Sequence, residues 1–202
     1  GAEGTYRFLK RIWNWAYQNR ETVLNAKALD VATLSAEAKD LRREIHTTLR
    51  QAEYDFSRMQ YNTVVSACMK MFNTLDAFKS RSDSDCAALK EAISFLLRTL
   101  YPIAPHITTA LWTELGFSAE MGELIDAPWP VWSEEAMKAD EIELVVQVNG
   151  KLRGKIRVAA EADQPTIEAA ALANPDVQKF VNGLTVRKII VVKRKLVNVV
   201  AK

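Results

Sequence analysis

The hydrophobic pattern of the chain changes period near residue 141, and this change limits the folds that it can adopt. Before that point apolar residues recur three and four positions apart, which is typical of amphipathic α-helices. After it, in EIELVVQV and KLRGKIRV, apolar and polar residues alternate, which is typical of β-strands with one buried face. The sequence therefore predicts two modules of different class.

The first module is predicted to be a bundle of about five helices. In the opening helix we expect the buried stripe at Leu9, Ile12, Trp13, Ala16 and Tyr17. Later helix starts are indicated by Ser35, by Ser82 or Ser84, and by Pro105. Gly116 is expected to end the last helix of the bundle.

The rest of the chain divides into a connector and a small mixed domain. Residues 118–140 show no clear period, and Trp129 lies between two prolines, so we interpret them as an extended connector. Residues 141–202 predict the order ββααββ. We therefore expect an all-α helical bundle at 1–117, then a small α+β domain at 141–202 whose antiparallel sheet carries helices on one face.

The first hairpin, around Asn149-Gly150, raises a question of register. A two-residue loop would mix apolar and charged side chains on each face, so we expect a three-residue loop that includes Val148. Ile142, Leu144, Val146, Leu152 and Ile156 would then share the buried face. The opposite face would carry Glu143 and Gln147 together with a row of four cations, Lys151, Arg153, Lys155 and Arg157.

Charge is distributed unevenly between the modules. Residues 1–149 contain 16 Lys and Arg against 21 Asp and Glu, whereas residues 150–202 contain 11 against 4. The row of cations, with Arg187, Lys188, Lys193, Arg194 and Lys195, is therefore predicted to bind a phosphate backbone. Few aromatic residues accompany it, so recognition of a folded RNA by its shape is favoured over base stacking. Secondary RNA-binding candidates in the bundle, which could equally form a solvated helix face, are Arg7, Lys10, Arg11, Arg42, Arg43 and His46.

Other classes of function find little support in the sequence. No apolar run is long enough to span a bilayer, and the start, which has Gly rather than Met, lacks a secretory signal. We expect a segment of a longer cytoplasmic protein. Cys68 and Cys86 are expected to be buried free thiols, and with two His they form no pattern of metal ligands. We expect no catalytic site, metal or cofactor in this segment.

The chain contains, in this order, the motifs RFLKRIW, YNTVVSACMKMFN, YPIAPHITTALWTELG, DAPWPVW, VVQVNGKLRGKI and GLTVRKIIVV. Taken together, they resemble the C-terminal portion of bacterial leucyl-tRNA synthetases, which are class I aminoacyl-tRNA synthetases. The resemblance covers essentially all 202 residues. It departs from the family at Lys193-Arg194-Lys195, where relatives often have Pro-Gly-Lys.

The resemblance implies a helical domain of the anticodon-binding type, followed by a C-terminal domain that reaches the tRNA elbow. The helical domain is expected to hold the body of tRNA(Leu). The catalytic domain, which uses ATP and Mg²⁺, and the editing domain would lie upstream in the same polypeptide, which we expect to be a monomer. The alternative is a free-standing RNA-binding or ribosome-associated module.

Overall fold

A computed structural model describes residues 2–138, 140–192 and 195–202. Contacts between residues divide the chain into two compact units, Gly1–Lys138 and Ala139–Lys202, which we call the helical unit and the small unit. The predicted fold class is confirmed, because helices make up the first unit and a four-stranded sheet with two helices makes up the second. None of the described helices combines the length and the apolar character needed to cross a bilayer.

The helical unit is built around five longer helices, as predicted. Ser35 accepts a hydrogen bond from the Ala38 amide and Ser82 accepts one from the Asp85 amide, so both serines are the expected N-caps. Its described helices are α1 (Ala2–Gln18), α2 (Arg20–Leu24), α3 (Ala36–Ser57), α4 (Tyr61–Ala77), α5 (Asp83–Leu100), α6 (Pro105–Glu114), α7 (Phe117–Met121) and α8 (Glu134–Met137).

The core of the helical unit contains residues spaced three and four positions apart on α3 and α5, but the stripe predicted on α1 is rotated. Ile12 and Ala16 are buried as expected, and Phe8 and Trp15 join them. Trp13 and Tyr17, which we expected in the core, are 36% and 50% exposed. Aromatic residues lie on two sides of this helix, so its apolar period alone did not identify the buried side.

The segment predicted to be a connector packs against the helical unit over most of its length. Leu124 is buried, and the Trp129 ring lies 5.2 Å from the ring of Phe56 on α3. The indole nitrogen of Trp132 donates a hydrogen bond of 2.6 Å to Glu53. The boundary between the units falls between residues 138 and 139.

The small unit has one sheet, with two helices on one of its faces. The strands are β1 (Glu141–Val148), β2 (Lys151–Ala159), β3 (Val186–Val192) and β4 (Leu196–Ala201), and the helices between β2 and β3 are α9 (Gln164–Ala173) and α10 (Pro175–Val181). Ile167, Ala171 and Val177 of these helices are buried with the inward residues of the strands.

The prediction of a wholly antiparallel sheet is wrong, because the sheet is mixed. Its strand order is β2-β1-β4-β3, and the two central strands, β1 and β4, are parallel. The α9–α10 pair returns the chain to the end of the sheet where β2 began. Strand β3 therefore runs in the same direction as β2, and β4, antiparallel to β3, runs beside β1 in the same direction.

Candidate nucleic-acid interface

Strands β1 and β2 are joined by a two-residue turn, so the predicted three-residue loop is wrong. Val148 pairs with Lys151, and the φ angles of Asn149 and Gly150 are 51° and 78°, both positive as a type I′ turn requires. The Asn149 side chain also donates to the Ala201 carbonyl at 2.9 Å and accepts from the Ala201 amide at 3.0 Å. These two bonds fix the turn to the central strand β4.

A β-bulge in β2 restores the alternation that the loop was expected to provide. Val146 pairs with Gly154 and Gln147 pairs with Leu152, so Arg153 is the extra residue. The bulge directs Arg153 toward the helices, where its guanidinium carbon lies 3.8 Å from the centre of the Phe180 ring. The prediction of a row of four cations on one face is therefore wrong. Lys151, which pairs with the inward Val148, and Arg153 lie on the side of the helices, and only Lys155 and Arg157 share the opposite face.

The face of the sheet opposite α9 and α10, which we call the open face, carries a mixture of cations, carboxylates and apolar residues. Lys155 and Arg157 lie on it as predicted, but Leu152, predicted to be buried, is also on it and is 60% exposed. Strand pairing places the following residues on the open face: Glu141, Glu143, Val145, Gln147, Leu152, Lys155, Arg157, Lys188, Ile190, Val192, Leu196, Asn198 and Val200.

One cation of the open face has an ion-pair partner within the sheet. Lys155 Nζ lies 2.8 Å from Glu143 Oε1. The hydrogen bond from Lys155 and its positive charge lower the pKa of the Glu143 carboxyl. Both side chains are exposed, so this ion pair contributes little to folding stability. Lys155 can consequently leave Glu143 for another anion at small cost.

The register of the strands spreads the exposed cations along the length of the sheet. Val148 aligns with both Lys151 and Val199, and Val200 with Lys188, so Lys151, Arg187 and Lys188 lie near the Asn149-Gly150 turn. Arg157 and Lys195 lie nearer the other end, and Lys155, which pairs with Val145, lies between Arg157 and the turn. With about 3.3 Å per strand residue, Arg157 and Lys188 are about 20 Å apart along the strands. Lys193 and Arg194, also predicted to bind RNA, lie outside the described residues.

Two secondary candidates in the helical unit, Arg42 and His46, are buried in an internal network. Arg42 donates to both carboxylate oxygens of Glu91, at 2.8 and 3.3 Å. The Ser133 amide donates to His46 Nδ1 at 2.9 Å, so the ring proton is on Nε2, which donates to Glu91 Oε1 at 2.9 Å. The network joins α3, α5 and the residue that caps α8.

Two buried carboxylates are stabilised as anions in the helical unit. Burial alone would raise the pKa of Glu91, but the hydrogen bonds from His46 and Arg42 and the charge of Arg42 outweigh it and lower that pKa. Burial likewise opposes the ionisation of Asp85, yet its pKa is lowered by hydrogen bonds from Ser35 and Ser80. Both carboxylates have structural roles between helices.

The other secondary candidates differ in how far they are engaged by the unit itself. Arg11 lies 3.1 Å from Asp76, and its guanidinium covers the Phe72 ring at 4.9 Å. Arg43 lies 2.7 Å from Asp40. Lys10 is exposed, and Arg7, with a side chain 71% exposed, lies 3.8 Å from Glu3. Lys10 and Arg7 are therefore the most accessible of the set.

The two thiols of the helical unit are buried. Cys68 and Cys86 are free and buried, as predicted, and burial raises the pKa of Cys68 to about 12. Within residues 2–138, 140–192 and 195–202, no group of three His, Cys, Asp or Glu side chains could hold a metal ion.

Sequence reasoning missed the partners that bury Arg42 and that draw Arg153 away from the open face. Glu91 lies 49 positions from Arg42, and Phe180 lies 27 positions from Arg153, so no local pattern connects either pair. The dipeptide Asn149-Gly150 did contain a usable signal, because it strongly favours a two-residue type I′ turn. A two-residue turn keeps Ile156 on the buried face only if β2 contains a bulge, so predicting the turn would also have predicted the bulge.

Comparison with known proteins shows the family of the chain. The family described as "Anticodon-binding domain of tRNA ligase" matches residues 38–169, which extend from α3 in the helical unit to α9 in the small unit. Leucine–tRNA ligase of Janthinobacterium sp. (strain Marseille) is 55% identical over 202 residues, which are 100% of this chain and 23% of that protein. Leucine–tRNA ligase of Methylibium petroleiphilum is 53% identical over 201 residues, 99% of this chain and 22% of that protein.

A solved structure has the same fold. It is the ternary complex of Agrobacterium radiobacter K84 agnB2 LeuRS with tRNA and LeuAMS, which matches with a TM-score of 0.74 and 23% identity over 98% of this chain and 25% of that one. The chain spans less than a quarter of the length of the two curated relatives. The resemblance to leucyl-tRNA synthetases is confirmed, and the chain belongs to the family of anticodon-binding domains of tRNA ligases.

Proposed function

We propose that this chain is the tRNA-binding C-terminal segment of a leucine–tRNA ligase. The observation that carries the proposal is the identity of 55% and 53% to two leucine–tRNA ligases over essentially the whole chain. In this proposal other domains of the same cytoplasmic, monomeric polypeptide bind ATP and Mg²⁺ and aminoacylate tRNA(Leu). Relatives about four times as long as the chain support this function over a free-standing RNA-binding or ribosome-associated module.

The contribution of the segment is to position the tRNA. The small unit presents exposed cations along its strands, and Arg157 and Lys188 are about 20 Å apart, a spacing suited to phosphates on separate parts of a folded RNA. Both lie on the open face, and Lys155 joins them once it leaves Glu143. Holding the tRNA elbow in this way, with the helical unit on the tRNA body, would direct the 3′ end to a distant active site.

The exposed and buried basic residues are expected to differ in this role. Arg7 and Lys10 on α1 are accessible to the tRNA body, and Arg43 requires only the loss of an exposed contact with Asp40. Arg42 and His46 are committed to Glu91 and are omitted from the proposed interface. Arg153 lies on the side of the helices, over the Phe180 ring, and is not part of the proposed contact surface on the open face.

The first experiment measures binding of this chain to tRNA(Leu), to a different tRNA and to an RNA duplex at several salt concentrations. We expect tRNA(Leu) to bind most tightly, because shape recognition adds to phosphate contacts. Changing Arg157 and Lys188 to Ala should reduce the slope of log affinity against log salt by about 2. The matched control is Lys179→Ala on α10, which removes a cation 2.8 Å from Asp176.

The second experiment uses the full-length ligase with Lys155, Arg157 and Lys188 changed to Ala. Charging of tRNA(Leu) should weaken, whereas activation of leucine with ATP should be nearly unchanged. Equal affinity of the chain for all three RNAs would contradict specific tRNA binding. Charging that is unaffected, or activation that falls as much as charging, would contradict the positional role.

A further inference from the structure

Helix α1 has aromatic residues on two nearly opposite sides. The inner side consists of Phe8, Ile12, Trp15 and Ala16, all no more than 5% exposed. The outer side carries Tyr6, Trp13 and Tyr17, with exposures of 64%, 36% and 50%. Together with Lys10 these residues follow the spacing of one helix face, so they form a continuous stripe along α1, which we call the outer stripe. The inner side supplies the buried residues of α1, and Leu9 and Arg11 add further contacts to the unit.

The outer stripe contains a preformed aromatic pair. The ring centres of Trp13 and Tyr17 are 5.1 Å apart and their planes are inclined by 34°. The two rings therefore support each other while a large part of their surface stays in contact with water. Such a pair offers a rigid, mostly apolar platform at little cost in conformational entropy, because each side chain has few rotatable bonds.

Cations accompany the platform. Lys10 is exposed within the stripe, and Arg7 is exposed beside it with a weak contact to Glu3 at 3.8 Å. Aromatic residues and Arg are enriched at both kinds of interface, but Lys, which lies inside this stripe, is depleted at the centres of protein–protein interfaces. Surfaces that bind single-stranded nucleic acid combine aromatic rings with Lys and Arg. The composition of the stripe therefore favours RNA over a protein partner.

We propose that the outer stripe of α1 stacks unpaired bases of the bound RNA on Trp13 and Tyr17, with Lys10 contacting the adjacent phosphate. This inference rests on the proposed function, because it takes tRNA as the RNA. It assigns base stacking to the helical unit. In the small unit Phe180 is the sole aromatic residue, and the guanidinium of Arg153 lies over its ring.

The test compares the parent chain with the double variant Trp13→Ala/Tyr17→Ala. The probes are a 20-nucleotide poly(A) RNA, an RNA duplex of the same length and a tRNA(Leu) transcript at fixed salt. Losing a stacked base should weaken binding of poly(A) and tRNA about tenfold or more and leave the duplex unaffected. Trp13→Phe/Tyr17→Phe should retain most of the affinity, and Tyr54→Ala, which removes a 55% exposed tyrosine elsewhere in the unit, should have no effect.

A measurement without any substitution guards against loss of folding. Photocrosslinking of 4-thiouridine-substituted tRNA to the parent chain should label α1 at or beside Trp13. The inference is overturned if α1 is not labelled, if the double variant binds poly(A) as tightly as the parent chain, or if duplex binding falls in parallel. If the parent chain binds tRNA and the double variant binds it equally well, the inference fails while the proposed function stands. If the parent chain binds no tRNA, both fail.

Discussion

Replacing Glu91 with Ala should strongly destabilise the helical unit. The side chains of Arg42 and His46, 10% and 2% exposed, both donate to this carboxylate, which is itself 19% exposed. Its removal leaves a buried guanidinium without a counter-ion and a buried imidazole N–H without an acceptor. Breaking a buried ion pair by removing one partner costs about 3–5 kcal/mol. For a unit of this size that corresponds to a fall in Tm of about 10 °C or more.

Thermal unfolding followed by far-ultraviolet circular dichroism measures this effect. Glu44→Ala is the matched control, because Glu44 is a carboxylate 45% exposed and 3.8 Å from Lys70. An exposed pair of this kind contributes less than about 1 kcal/mol, so the control should shift Tm by only a few degrees. Both variants remove one carboxylate from the same unit, and they differ mainly in its burial.

A double variant distinguishes the cost of leaving Arg42 without its partner from the cost of removing the Glu91 side chain itself. Arg42→Met/Glu91→Met removes both charges and fills similar volume, and it should be more stable than Glu91→Ala because no guanidinium is left buried alone. Our explanation of the network is refuted if Glu91→Ala costs no more than Glu44→Ala. It is also refuted if the double variant is less stable than Glu91→Ala.

Three further predictions concern acid, thiol reactivity and glycine. The pKa values of Asp85 and Glu91 are lowered in the folded state, so each carboxylate stabilises the fold above its unfolded pKa. The urea concentration at the midpoint of unfolding should therefore fall as the pH drops below about 4. In Glu91→Gln this midpoint should fall less steeply with pH. Cys68, with its pKa raised to about 12, should react with iodoacetamide at pH 8 only after unfolding, and reaction at the rate of a free thiol would contradict its burial. Gly116→Ala should destabilise more than Gly4→Ala in urea unfolding, because Gly116 has a positive φ of 83° and a Cβ there would lie 2.6 Å from the Leu24 side chain, whereas Gly4 lies within α1 with open space around it, and equal losses would exclude that effect.

Local signals predicted most of the secondary structure, because helix caps and the spacing of apolar residues depend only on neighbouring positions in the sequence. Ser35 and Ser82 cap helices as expected, Asp163 accepts from the Thr166 amide at the start of α9, and Asn174 caps α10. The buried residues of α3 and α5 lie mostly three and four positions apart, as in other amphipathic helices. These elements needed no information about distant parts of the chain.

The errors arose where two solutions satisfy the same local pattern. An odd-length loop and a two-residue turn with a bulge both place Leu144, Val146 and Ile156 on one face. The second applies, and it leaves Leu152 on the open face. The parallel pairing of β1 with β4 is set by the path of the intervening helices. The burial of Arg42 depends on Glu91, which belongs to another helix. Much of the candidate interface therefore required three-dimensional contacts.

The central position of β4 determines when the small unit can form during synthesis. Strand β1 is the first of the unit to leave the ribosome, yet one of its two neighbours, β4, is the last. The two hydrogen bonds of the Asn149 side chain to Ala201 can form only after Ala201, 52 residues later in the chain, has been synthesised. Until then the β1–β2 hairpin stands alone, and an isolated hairpin is marginally stable in water. The small unit should therefore fold as a whole only after β4 has emerged from the ribosome, later than the helical unit before it.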